Sequence, residues 1–397
     1  MDETEFYEQL LSLPDLSIDR VEYQTNQINI YCHSRKEVSK CPNCESPTGV
    51  IHQHYTRQIR DLDISGREVW LHVAARQFVC SVCNRYFMER FDWVESNKSY
   101  TKRQAKWIFE MCAKQPFSEV GALMNMCPKT VERLYYSMAE KLIDLPSRYA
   151  QVRKLGIDEL SHRKGKQEYC CVLTDLDRGI QLDILPDRKK QTLIAHFQAL
   201  GEDFCQQIQV VSCDIWEPYI LVAQSCFPQA NIVIDHFHVV KALNESLDRY
   251  RKSLRRKVPD EDCFKKLKWI LCKKPQHCSQ LDKTLLQQAF EQSIQLEEMY
   301  QLRNSFHHIF ECCHDKDKVR QFLDTWIEDV LFTQNKYWDK FIKTLNNWKD
   351  YIINFVQLRI TNAITEGLNN IIRYLKRISF AIPNFEHMRI RVLASAC

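Results

Sequence analysis

Residues 153–165 read RKLGIDELSHRKG, and the apolar approach Leu155-Gly156-Ile157 stops at two carboxylates, Asp158 and Glu159. An isolated carboxylate at the end of a buried strand is costly unless an arginine, a backbone amide or a metal ion meets it. Two further apolar runs stop the same way, QIQVVSCD at Asp214 and ANIVID at Asp235. A fourth acid, Glu366, lies in TNAITEGLNNIIRYLKRISF, where Ile364, Leu368, Ile371, Leu375 and Ile378 repeat with helical spacing. Glu366 falls opposite that stripe and shares a polar face with Asn362, Asn369, Asn370 and Arg373. Carboxylates gathered at strand ends under such a helix would make a hard oxygen site suited to Mg²⁺ or Mn²⁺. Two ions held there can activate water and stabilise the leaving oxygen of a phosphoryl displacement. Taken singly, each acid has a plainer reading: a cap at Asp158, turn residues at Asp175 and Asp177, a solvated charge at Glu366.

Cys41-Pro-Asn-Cys44 and Cys80-Ser-Val-Cys83 form a second chemical group, two C-x-x-C knuckles separated by residues 45–79. Each knuckle can direct two thiolates at one tetrahedral ion, so the pair predicts a closed structural zinc site with one Zn²⁺. His52 and His54 are alternative ligands. A small strand-rich module of this kind draws much of its folding energy from the metal. The cluster FHHIFECCHD (His307, His308, Cys312, Cys313, His314) sits in a helical stretch where neighbouring residues point apart, and it is read as incidental.

The elements that must position these groups follow from the pattern. KQEYCCVLTDLDRGIQLDILPD reads as two strands joined across Asp-Arg-Gly. Helix-like stretches then separate the strands ending at Asp214 and Asp235, so these ends meet at one edge of a mixed sheet. Upstream, residues 115–137 place Val120, Leu123 and Met124 on one helix face, break at 125–127, and resume with Val131 and Leu134 facing inward. Thr130, Glu132 and Arg133 stay exposed beside Lys129. This is the pattern of a helix-turn-helix that sends its second helix into the major groove, although a plain helical hairpin has the same periodicity. KSYTKRQAK, with Lys102 and Arg103, has the charge for phosphate contacts. From His238 to about Asn354 the chain is helical, with Phe237, Val240, Leu243, Leu247, Tyr250 and Leu254 in one stripe. Its basic run RYRKSLRRK (249–257) is either a solvated face or a DNA backbone contact. The eight tryptophans are read mostly as core.

With 397 residues the chain exceeds one compact core, and its 8 Gly and 12 Pro argue for a helix-rich, folded protein. A net charge of +4 confines any nucleic-acid surface to local patches. The acidic start MDETEFYEQLLSL is unlike a signal peptide, and no run reaches the roughly 18 apolar residues of a membrane span. A soluble protein of a reducing cytoplasm is expected, where 18 Cys bind metal or lie buried instead of forming disulfides.

Together these motifs resemble bacterial insertion-sequence transposases of the DDE type, specifically the ISL3 group, from about residue 38 onward. The matching pieces are CPNC, RQFVCSVCNRYF, GIDELSHRKG, CDIWEPYI, IVIDHFHVVKALNE and TNAITEGLNNIIRYLKR. The resemblance implies a multidomain α+β chain: an N-terminal segment (1–37), a zinc ribbon (38–92), a helix-turn-helix domain (98–145) and an RNase H-like α/β catalytic core (151–397). A helical insertion would interrupt that core at about 240–355. It implies that Asp158, Asp214 and Glu366 are the catalytic ligands of two Mg²⁺ (or Mn²⁺) ions. Asp235 and His238 form an acid-x-x-His pair and, with Asn362 and Asn369, support that site. Lys102, Arg103, Lys129, Thr130, Arg133 and Arg373 are the expected DNA contacts. The expected activity is metal-dependent cleavage and strand transfer of double-stranded DNA at the element's terminal inverted repeats. A homo-oligomer, at least a dimer, would do this at the bacterial nucleoid, without a membrane. The alternative is a catalytically silent DNA-binding regulator derived from such an enzyme.

Overall fold

The computed structural model describes residues 2–95, 97–163, 168–256, 261–380 and 382–395. Two compact units separate, one comprising Met1–Lys141 with Ile378–Phe380, the other Leu142–Arg377 with Ala381–Cys397.

In the first unit, helix α1 (Glu3–Leu11) is followed by β1 (Leu16–Tyr23) and β2 (Gln27–Ser34), then by the short pair β3 (Ser39–Lys40) and β4 (Pro47–Thr48). Two long strands, β5 (Ile51–Ile64) and β6 (Arg67–Val79), and the short β7 (Tyr86–Met88) complete the β part. The sheet runs β1-β2-β6-β5, with β2 pairing in parallel to β6 from Gln27↔Glu68 to His33↔Ala74. The expected boundary at residue 37 is therefore crossed by the sheet. The cause is the alternation of Ile28, Ile30 and Cys32, which bury against Val69, Leu71 and Val73 in one core. Three helices follow, α2 (Lys102–Cys112), α3 (Phe117–Leu123) and α4 (Pro128–Leu142). Thr101 caps α2 and also donates to the buried Asp61 of β5 at 2.7 Å. Between α3 and α4, Gly121 lets the Met126 carbonyl approach to 2.7 Å of where a Cβ would stand. Val120, Met124, Val131 and Leu134 are buried as expected, but Leu123 is 61% exposed, since the helix ends there and turns outward.

The second unit opens with α5 (Leu145–Tyr149) and builds a five-stranded sheet from β8 (Lys154–Arg163), β9 (Glu168–Asp175), β10 (Ile180–Leu185), β11 (Val210–Cys213) and β12 (Asn231–Ile234). Its order is β10-β9-β8-β11-β12; the first three strands are antiparallel, and β11 and β12 run parallel to β8. Helices α6 (Lys190–Leu200) and α7 (Glu202–Gln207) cross from β10 to β11, and α8 (Glu217–Cys226) crosses from β11 to β12. α9 (His236–Arg255) then starts a helical block with α10 (Glu261–Ile270), α11 (Gln280–Gln292), α12 (Ile294–Cys312), α13 (Lys316–Phe332) and α14 (Asp339–Leu358). This block shares one core with the sheet, and Asn354 of α14 donates to the Ile232 carbonyl of β12 at 2.8 Å. That contact covers the open sheet edge. α15 (Ala363–Ile378) and α16 (Phe385–Ala394) end the chain, with Arg389 of α16 bonded to the buried Asp183 of β10 at 2.5 and 2.8 Å.

Three expectations change here. Phe237 is 56% exposed, while Val239 takes its place in the α9 core. Of the eight tryptophans only Trp93, Trp326 and Trp338 are buried, and Trp216 is 39% exposed. In α15 the buried residues are Thr365, Asn369, Ile372 and Leu375, whereas Ile364 and Ile371 are 43% and 49% exposed. The buried face is a mixed one, on which Asn369 meets a hydrogen-bonding partner at the strand ends while Ile372 and Leu375 pack beside it.

Candidate active site

Ile157 of β8, Cys213 of β11 and Ile234 of β12 are register partners across three adjacent strands. The next residue along the chain is Asp158 within β8, Asp214 just past β11 and Asp235 just past β12, so three carboxylates emerge at one level. Asp158 does not end its strand as the sequence suggested. β8 continues beside β9 to Arg163, and it is β11 that stops at this level. Asp235 caps α9, its carboxylate accepting from the Phe237 amide.

α15 closes over these ends. Asn369 Nδ2 donates to Asp158 Oδ2 at 2.7 Å, and Asn362 Nδ2 donates to the Ile157 carbonyl at 3.4 Å. A Cβ on Gly156 would stand 2.8 Å from Thr365 Oγ1, so glycine is what permits this close packing. Carboxylate oxygens of Asp214 and Asp235 and a ring nitrogen of His238 lie within 4.8 Å of one another. His238 Nε2 is 3.0 Å from Asp214 Oδ1 but not aligned on it, since that oxygen has no hydrogen-bond partner among the described residues. Glu366 is exposed on α15, its amide donating to the Asn362 carbonyl at 2.8 Å, and its charge is felt at Asp235. The structure thus gathers Asp214, Asp235 and His238 most tightly, with Asp158 held by Asn369 and Glu366 at the rim.

Electrostatics mark this as a site under charge stress. Burial, then the neighbouring Asp158, Asp235 and Glu159, pushes Asp214 up to about 8. Burial and the Glu159 and Asp235 charges push Asp158 up to about 6 against the Glu159 amide and Arg373, which pull it down. Burial raises Asp235 too, and burial and Lys241 push His238 down to about 4, leaving a neutral ring. The buried oxygens Asp214 Oδ1, Asn362 Oδ1 and Asn369 Oδ1 have no hydrogen-bond partner among the described residues. Crowded carboxylates and orphaned oxygens are what a hard divalent cation would satisfy, so the residues fit Mg²⁺ or Mn²⁺.

The cysteine site is equally specific. Both knuckles are built alike: the Glu45 and Asn84 amides bond back to the Cys41 and Cys80 carbonyls at 2.9 Å, each through a left-handed residue. The Sγ atoms of Cys41–Cys83, Cys44–Cys80 and Cys44–Cys83 lie 3.6, 3.5 and 3.7 Å apart. A tetrahedron with Zn–S of about 2.3 Å has edges of about 3.8 Å, so the four thiols fit one zinc ion. His52 bonds Gln77 and stays outside this group. The His307–His314 cluster forms no third convergence among the described residues.

Residues 155–392 match the family described as Transposase, of the DDE ISL3 type, and residues 29–83 match the zinc-finger of transposase IS204/IS1001/IS1096/IS1165. The chain belongs to the ISL3 family of DDE transposases. It is 25% identical over 386 residues to the transposase for insertion sequence element IS1001 of Bordetella parapertussis, covering 95% of this chain and 94% of that protein. It is also 25% identical over 355 residues to the transposase for insertion sequence element IS1557 in two strains of Mycobacterium tuberculosis, covering 82% of this chain and 78% of theirs. The transposase match contains all four acids. The zinc-finger match starts inside β2, consistent with the sheet that joins residues 1–37 to the knuckles.

The expected DNA contacts of this transposase divide. Lys102, Lys129 and Arg133 are exposed, Thr130 is half-buried, and Arg373 is exposed with a bond to Asn370 at 2.7 Å. Arg103 is otherwise engaged: its guanidinium binds Asp61, at 2.8 Å through Nε, and the Leu11 carbonyl, so it is a structural tie. In the 249–257 run, Arg251 and Lys252 pair with Asp248, Arg249 bonds Ser246 and Tyr337, and Lys257 lies outside the described residues. Sequence reasoning missed Arg188, which pairs with Glu159 and stacks over Tyr169 and Trp216. No local motif surrounds it; its partners lie on β8, on β9 and just past β11, segments far from it in sequence. No described helix is long and apolar enough to cross a membrane.

Proposed function

We propose that this chain binds the terminal inverted repeats of its own insertion sequence and cuts and joins double-stranded DNA at the Asp158–Asp214–Glu366 site. The observation carrying this reading is the level arrangement of Asp158 on β8 with Asp214 and Asp235 at the ends of β11 and β12, beside Asn369 of α15 and Asn362 just before it. The sheet order, with three antiparallel strands followed by two parallel ones, supports an RNase H-like core. Two Mg²⁺ or Mn²⁺ ions would supply Lewis-acid activation of water and charge stabilisation at the leaving oxygen.

The side chains have separable roles. Asp158 and Asp214 are the ligands from the sheet, and Glu366 closes the set from α15. Asp235 holds the start of α9 and, with neutral His238, supports the site beside Asp214. Asn369 fixes the Asp158 carboxylate, and Asn362 ties α15 to β8. Water and then the freed 3′-hydroxyl act as nucleophiles, so no covalent protein–DNA intermediate forms. Cys41, Cys44, Cys80 and Cys83 hold one structural zinc ion. α3 and α4 act as a helix-turn-helix, with Lys129, Thr130 and Arg133 at the DNA and Lys102 on the backbone. Joining two element ends requires at least a dimer, working at the bacterial nucleoid.

The test compares a duplex bearing an element end with a scrambled duplex, each incubated with Mg²⁺. Preferential binding, cleavage at the end and joined product are expected. Binding without cleavage under Mg²⁺ or Mn²⁺ would replace this reading with that of a silent DNA-binding regulator.

A further inference from the structure

Beside Asp214 the second unit carries a cavity of about 300 Å³ whose walls come from distant parts of the chain. Arg188 enters from the loop before α6, Trp216 follows β11, Lys241 and Arg249 belong to α9, and Lys340 and Thr344 belong to α14. Four cations thus face it, against the carboxylates of Asp214, Glu159 and Glu245. Glu159 is already paired with Arg188. The Arg188 guanidinium lies 4.3 Å from the Tyr169 ring centre and 4.4 Å from that of Trp216, a stacked setting that fixes its direction. Arg249 bonds the Ser246 hydroxyl and the Tyr337 carbonyl at 3.1 and 3.2 Å, both neutral partners. Lys241 and Lys340 are exposed, and their ammonium groups have no hydrogen-bond or salt-bridge partner among the described residues. A cavity with spare positive charge and one oriented guanidinium, opening onto buried carboxylates, suits an anion with tetrahedral oxygens.

We propose that this cavity seats a backbone phosphate of the DNA strand passing Asp214, and that α9 and α14 form its outer wall. The proposal rests on the DNA-cleaving reading above and gives the helical insertion a role, since two of its helices supply three of the four cations. Lys241 and Lys340 supply the mobile charge, and Arg188 and Arg249 supply fixed donors. The strand is thereby held at a set distance from the carboxylates.

The experiment uses the full chain with Lys241→Ala and Lys340→Ala, and an end-bearing duplex in which single phosphates near the cleavage position are replaced by neutral methylphosphonates. Each variant is expected to bind the native duplex about tenfold more weakly at about 50 mM salt, and the slope of log affinity against log salt should flatten by about 0.9. At one methylphosphonate position the variants should lose nothing further, because the contact is already absent. A loss in cleavage identifies the element-end strand, and a loss confined to joining identifies the target strand; either supports the seat. Wild-type affinity and salt slope in both variants, or losses additive with every methylphosphonate position, overturn it. Wild-type cleavage is the control: its absence under Mg²⁺ and Mn²⁺ defeats the function reading, whereas binding losses still report on the cavity.

Discussion

Asn369 donates from Nδ2 to Asp158 Oδ2 at 2.7 Å, linking α15 to β8 across 211 residues of chain. With the Glu159 amide donating to Oδ1 at 2.7 Å, the bond fixes the orientation of the carboxylate. Outer partners of metal-binding carboxylates typically govern affinity by about 10- to 100-fold. Asn369→Ala should therefore raise the Mn²⁺ concentration for half-maximal DNA cleavage by about that factor, with activity recovering at high metal. An unchanged half-saturation point would remove Asn369 from the site.

Gly156 is the counterpart of that bond in packing. A methyl group there meets Thr365 Oγ1 and Leu176 Cδ2, both at 2.8 Å, so α15 must lift or the strand must shift. Gly156→Ala should cost about 1–3 kcal/mol of unfolding free energy and lower cleavage at the same time. Denaturant unfolding checks the first effect, and a variant as stable and as active as wild type would refute the packing argument.

Asp214, raised to about 8, gives a pH dependence whose sign can be worked out. In the unfolded chain an aspartate titrates near 3.9, so between that pH and 8 the metal-free folded state keeps a proton the unfolded state has lost. Its stability contribution is present at low pH and fades as pH rises through about 8. Buried histidines such as His238, lowered to about 4, change the balance only below their ordinary 6.5. The window to read is therefore pH 6.5 to 8.5. Metal-free protein should melt at lower temperature at the upper end, and Asp214→Asn should flatten the trend. Mg²⁺ should raise the melting temperature more at pH 8.5 than at 6.5, because its ligands must be deprotonated. A slope unaffected by Asp214→Asn would sink the assignment.

The zinc knuckles predict one Zn²⁺ per chain by elemental analysis. Cys80→Ser, or a strong chelator, should release it, destabilise the first unit and abolish recognition of the element end. A chelated protein that still discriminates element ends would show the metal to be dispensable.

Much of the chemistry could be read in sequence because its signals are local. Two knuckles with matching spacing, apolar runs stopping at acids, and Asn362, Glu366 and Asn369 at helical spacing over two turns all lie within short windows. What stayed hidden depends on contacts between distant segments. The apolar repeat Ile364–Ile371–Ile378 pointed to the wrong buried face of α15. Amphipathicity assumes that the core is apolar, whereas here the helix packs on strand ends that offer a carboxylate and a carbonyl. Arg103 looked like a free cation until Asp61, 42 residues earlier, claimed it. The first sheet likewise joins β2 to β6 across the knuckle, a parallel pairing with no signature in either strand alone.

The most direct measurement is Mg²⁺-dependent cleavage of a labelled, end-bearing duplex by wild type, Asp158→Asn, Asp214→Asn, Glu366→Gln and Asp235→Asn side by side. Cleavage by wild type, loss by at least about 1,000-fold in the first three variants, and residual activity in Asp235→Asn are expected. Full loss in Asp235→Asn with activity retained in Asp214→Asn would contradict the assignment and make Asp235 the second ligand.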